Sequence, residues 1–110
     1  MDWNIISTAA HLDEILQQSH VQPQLIFKHS TRCSISSLVK NRFDKVDALQ
    51  GVDVWYLDLI ANRSLSNEIA ERFSVHHESP QVILLKNGEV IFDESHLSID
   101  LDEIATQALG

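Results

Sequence analysis

The stretch that decides the fold is Gln24-Leu25-Ile26-Phe27-Lys28-His29-Ser30-Thr31-Arg32-Cys33-Ser34-Ile35-Ser36. Leu25-Ile26-Phe27 is a short, fully apolar run bounded by polar residues, which predicts a buried strand. His29 to Arg32 is polar and turn-like. From Ile35, apolar residues at Leu38, Val39, Phe43 and Val46 predict a helix that starts close to Cys33. A cysteine at the junction of strand and helix lies just past the carboxyl end of the strand, where open α/β sheets place their chemistry.

Working outward, Ala9, Leu12, Ile15 and Leu16 recur at helical spacing and predict a first helix over residues 8–19, with Pro23 after its end. A short strand at Trp3–Ile6 is a further possibility. Val52 to Leu59 reads as a central strand. Leu65, Ile69, Ala70 and Phe73 predict a third helix capped by Ser64. After Ser79-Pro80, Val82-Ile83-Leu84-Leu85 is a second buried strand. Asn87-Gly88 supplies the two positive-φ residues of a tight hairpin, and Val90-Ile91-Phe92 returns. Asp100 sits three residues before Glu103 like a capping pair, and Leu101, Ile104, Ala105 and Ala108 line one face of a last helix. Asp13-Glu14 and Asp102-Glu103 read as first-turn acids that complement helix dipoles. Strands joined through helices are expected to be parallel neighbours, and the hairpin pair antiparallel. The fold class is therefore α/β, a mixed sheet of about four strands with helices on both faces.

Length and composition agree. A chain of 110 residues fits one domain, residues 1–110, and 44% hydrophobic residues suffice for a core. Eight Lys and Arg against 16 Asp and Glu give a net charge of −8. That balance argues against binding nucleic acid or an anionic membrane surface, since there is no excess cation to neutralise phosphates. A single cysteine excludes an internal disulfide. No signal peptide or membrane span is visible, so a soluble cytoplasmic protein is expected.

The chemistry then rests on the thiol. Backbone N–H groups at a helix start favour a negative charge on sulfur. Arg32 and a protonated His29 would add to this; Lys28, within the strand, is given no weight. For a thiol in general, lowering the pKa from about 8.5 to about 7 raises the thiolate fraction about eightfold near neutral pH, and lower nucleophilicity takes back about fivefold. The larger gain is a better leaving group, which suits a shuttle that is loaded and discharged. Ser36 stands one helical turn after Cys33, where a dithiol protein carries its second cysteine. A hydroxyl there can donate to the thiolate and cannot resolve a mixed disulfide, so the resolving thiol must come from outside. The bland alternative is an inert buried cysteine. His76 and His77 invite a metal reading, but neighbours on an extended segment point apart and the cysteine is remote, so no metal is expected. Trp3, Trp55 and Phe73 read as packing residues.

Element order, the cysteine opening the second helix, Ser79-Pro80 before a buried strand and Lys86-Asn87-Gly88-Glu89 in the hairpin resemble the thioredoxin fold. More narrowly, Phe27 to Ser36 and His77-Glu78-Ser79-Pro80-Gln81 resemble the YtxJ-type bacilliredoxin family. The resemblance implies a monothiol oxidoreductase, active under oxidative stress, that removes bacillithiol from cysteines of oxidised proteins. Cys33 would receive the small thiol, with Ser36 beside it in the catalytic set. Thr31, Arg32 and His77 would line the approach, and Ser79-Pro80 would be a cis pair whose backbone meets the substrate strand. No bound cofactor is implied; bacillithiol or another low-molecular-weight thiol is the co-substrate, S-thiolated client proteins are the partners, and the chain is a monomer or weak dimer. Two rivals stay open: a non-catalytic thioredoxin-fold adaptor or stress-associated binding module, and a glutaredoxin-like iron–sulfur carrier. Against the carrier, its expected glycine-phenylalanine pair is replaced by Ser34-Ile35.

Overall fold

The computed structural model describes residues 1–110. Along the chain run β1 (Asn4–Ile5), α1 (Ala9–Gln18), β2 (Gln24–His29), α2 (Ser34–Asp44), β3 (Asp53–Asp58), α3 (Arg63–Arg72), β4 (Gln81–Lys86), β5 (Glu89–Ser95) and α4 (Leu101–Leu109). The strands form one five-stranded sheet in the order β1-β3-β2-β4-β5. The expected sheet of about four strands thus gains the two-residue edge strand β1, parallel to β3.

Alternation along the strands splits the core in two. Leu25 and Phe27 of β2, Val54 of β3 and Val82 and Leu84 of β4 pack against Val39 and Phe43 of α2 and Ile104 and Ala108 of α4. The opposite face carries Ile26, Trp55, Leu57, Ile83 and Leu85 against Leu12 and Ile15 of α1 and Ile69 of α3. Helices therefore cover both faces, and β2 lies at the centre with all six residues buried.

Strand direction departs from the sequence expectation. β2 and β3 are parallel, with Phe27 opposite Tyr56. β4, reached through α3, is antiparallel to β2 and does not adjoin β3. The reason lies after the helix. The ten residues of α3 carry the chain about 15 Å. The segment from Ser74, whose φ is +53°, to Pro80 then leads back before β4 starts. Gln81 accordingly pairs with Lys28 near the end of β2 rather than with its beginning. The hairpin is as expected: Asn87 and Gly88 have φ of +54° and +79°, and β4 and β5 are antiparallel.

Two helix starts also differ. Asn62, not Ser64, is the N-cap of α3. The first turn of α1 holds no acid; His11 instead accepts from the Ser7 N–H at 3.0 Å, and Asp13 pairs with Arg72 of α3 at 2.8 Å. Asp100 does cap α4, accepting from the Asp102 N–H at 2.9 Å.

Candidate active site

Cys33 is the N-cap of α2, half-buried, with a free thiol. A tight turn brings it there: its N–H donates to the Ser30 carbonyl at 3.2 Å, and its own carbonyl accepts from Ser37 at 3.0 Å. The first-turn N–H groups of α2 have no partner within the helix, which makes this end a seat for negative charge. Thr31 and Arg32, in the turn, are exposed. Val39 and Phe43, both fully buried, clamp the helix to the sheet and so fix its start.

The last two residues of β2 are polar; Lys28 lies in the strand as expected, and His29 belongs to it as well rather than to the expected turn. Each finds partners on its own side of the sheet. On the α2 face, His29 Nδ1 lies 2.7 Å from the Ser36 hydroxyl, which also accepts from the Ser30 N–H at 3.0 Å. The His29 ring stands 5.8 Å from Phe27 and 5.7 Å from Tyr56. Burial lowers its pKa below the usual 6.5, and Lys40 adds to this; Asp58 and Asp44 pull the other way without reversing it. His29 is therefore neutral at neutral pH, so the positive charge that a protonated ring would lend the thiol is not supplied there. Ser36 is likewise not a partner of the sulfur here. It is fully buried, and its hydrogen bonds run to His29 and Ser30.

On the α3 face lies a residue the sequence reading passed over. Lys28 is fully buried. Its Nζ donates to the Ser66 carbonyl at 3.1 Å and sits 3.2 Å from His77 Nδ1; the Ser66 hydroxyl reaches the same nitrogen at 3.3 Å. Desolvation brings the Lys28 pKa down from 10.5 to about 8. Its signal was available: period-two alternation puts Lys28 on the same inward face as Ile26.

The segment before β4 completes the arrangement. Ser79-Pro80 is a cis pair, and Pro80 is buried. One step beyond the Lys28–Gln81 pair, Pro80 comes opposite His29, at the strand end from which the Cys33 turn departs. Gln81 Nε2 donates to the His76 carbonyl at 2.9 Å, tying the segment to itself. The Ser79 hydroxyl is buried with no hydrogen-bond partner. His77 is exposed on its outer side and His76 is 91% exposed, so the two histidines do not converge. The largest groove, about 570 Å³, runs between the C-terminal half of α2 and Leu97–Asp102 and includes none of these residues. Cys33, half-buried, does not line that groove. No helix is long and apolar enough to cross a membrane.

Comparisons with known proteins agree with this geometry. The family model described as monothiol bacilliredoxin BrxC matches residues 4–104. Among solved structures, a proposed oxidoreductase with a thioredoxin fold is 28% identical, with 94% of this chain and 90% of that chain covered and a TM-score of 0.82. Thioredoxin from Fasciola hepatica is 18% identical over 96% of this chain and 98% of its own, with a TM-score of 0.76. Thioredoxin from Malassezia sympodialis is 17% identical over 99% and 92%, with a TM-score of 0.74. The last two speak to the fold alone.

Proposed function

The chain belongs to the monothiol bacilliredoxin family, and from that premise we propose that it removes bacillithiol from mixed disulfides on oxidised proteins by way of a mixed disulfide at Cys33. The family and the thioredoxin fold support thiol-disulfide redox chemistry. The observation that carries the finer reading is the lone free thiol on the half-buried N-cap residue of α2, with the residue one turn on a serine committed to His29.

In the first step the Cys33 thiolate attacks the small-thiol sulfur of a protein–S–S–bacillithiol substrate. The Cys33–S–S–bacillithiol bond forms as the protein–sulfur bond breaks, and the client cysteine leaves as thiolate. In the second step the thiolate of another small-thiol molecule attacks the adduct, releasing the symmetrical small-thiol disulfide and restoring the Cys33 thiolate. Each step exchanges one disulfide for another, so no net oxidant is required. A second thiol at position 36 would close the adduct internally; Ser36 leaves discharge to the free thiol. The protein is thus an enzyme of the compartment that holds the small thiol, the cytoplasm, and meets its S-thiolated clients as a monomer or weak dimer. Thr31, Arg32, His77 and the Ser79-Pro80 backbone form the contact surface around the sulfur.

The test is intact mass after mixing with a bacillithiolated protein. Wild type is expected to gain one bacillithiol while the client loses it, and Cys33→Ala to gain none. No gain on wild type, or an equal gain on the variant, refutes the reading. Parallel runs with glutathione, cysteine and coenzyme A adducts distinguish the small thiol used.

A further inference from the structure

Lys28 is a buried ammonium whose two partners, the Ser66 carbonyl and His77, carry no negative charge. A lysine ammonium has donors and no acceptor. The Ser66 hydroxyl converges on the same ring nitrogen. His77 Nδ1 must therefore accept, and a neutral imidazole that accepts at Nδ1 carries its proton on Nε2. Burial first, then the Lys28 charge, His76 and Arg63, hold its pKa below 6.5 against Glu78, so the ring is neutral near pH 7. With Nδ1 turned inward to Lys28 and the residue exposed, Nε2 is on the outward side of the ring. His77 lies two residues before Ser79-Pro80, on the segment that reaches the Cys33 end of β2. Lys28 and Arg63 place two positive charges near His77, opposed by the neighbouring Glu78, on a chain of net charge −8.

We propose that Lys28 is a positioning residue that fixes His77 as an Nε2–H donor, and that this donor receives a carboxylate of the small thiol exchanged at Cys33. The proposal rests on the exchange reading above and names the chemical class of the thiol: one bearing a carboxylate. A carboxylate is an acceptor-only group and suits a donor set in a positive field.

Two measurements on the full-length reduced protein test it. Nitrogen-15 spectra of the histidine rings near pH 7 are expected to show His77 in the Nε2–H form. Next, Cys33 is loaded with 4-thiopyridine, and its discharge is timed with N-acetylcysteine and with N-acetylcysteine amide, which differ in the carboxylate. The ratio of the two rates is expected to fall by about threefold to tenfold in His77→Ala and in Lys28→Met, as for loss of one hydrogen bond. Lys45→Ala, which removes a charge elsewhere, is expected to keep the wild-type ratio. An Nδ1–H ring in wild type, an unchanged ratio in both variants, or an equal fall in Lys45→Ala overturns the proposal alone. Failure of both thiols to discharge the wild-type adduct overturns the exchange reading itself.

Discussion

Replacing Lys28 by methionine isolates the energetic consequence of burying an ammonium among neutral partners. The change keeps an unbranched side chain, one heavy atom shorter, and removes the charge together with its hydrogen bonds to Ser66 and His77. In the native chain desolvation holds the Lys28 pKa at about 8, against 10.5 for a free lysine. That difference corresponds to about 3 kcal/mol by which the folded state disfavours the charged form. Below pH 8 both the native and the unfolded chain hold the proton, so the whole penalty is present. Between about pH 8 and 10.5 the native lysine is neutral while the unfolded one still binds its proton, and stability rises with pH. Above 10.5 the curve flattens. The stability of wild type minus that of Lys28→Met is therefore expected to increase by about 2–3 kcal/mol from pH 7 to pH 10. Other groups, Tyr56 among them, titrate in both proteins and cancel in the difference. Urea unfolding followed by circular dichroism at each pH reads it. A flat difference, or one that falls with pH, would mean that Lys28 is not desolvated, and the account of the β2–α3 contact would be wrong.

Three further outcomes are expected. Ser36→Ala leaves the buried Ser30 N–H and His29 Nδ1 without their shared partner, and thermal or urea unfolding should show a loss of about 1–3 kcal/mol. His29 has a lowered native pKa, so its contribution is whole above the unfolded value of 6.5 and is lost as pH falls. Wild type should thus lose more stability than His29→Gln between pH 7 and 5, and an equal loss refutes this. Phe43→Ala, at a fully buried position of α2, should cost about 3–5 kcal/mol, and a loss under 1 kcal/mol would show that α2 is not clamped as described.

Much of this was legible from periodicity. The apolar runs at Leu25–Phe27 and Val82–Leu85, the Asn87-Gly88 turn and the helical spacing around Ile35–Phe43 each reported local geometry, because burial on one face leaves a pattern in the chain. Cys33 at a helix start was legible for the same reason. What stayed hidden depended on distant partners. His29 is polar, so local reading began the turn there, and Lys28 was kept in the strand but given no role; Ser66 and His77, far along the chain, and Ser36, seven residues on from His29, are what make their burial tolerable. The direction of β4 was hidden similarly, since nothing within α3 announces that residues 74–80 double back. Ser36 was read from its spacing to Cys33, and spacing does not reveal that His29 competes for the hydroxyl.

The turn bearing Cys33 hangs from β2, whose every residue is buried between two hydrogen-bonded neighbours. Such a strand opens only when the domain as a whole unfolds. The Cys33 sulfur is consequently held on an anvil, and whatever docks there in the proposed exchange must supply the conformational give. Clients whose modified cysteine sits in a pliable loop would be repaired quickly. Those whose cysteine is locked in regular structure would wait for their own local fraying, so under the proposed exchange the order of repair in a mixture would be written in the clients' flexibility rather than in this chain's.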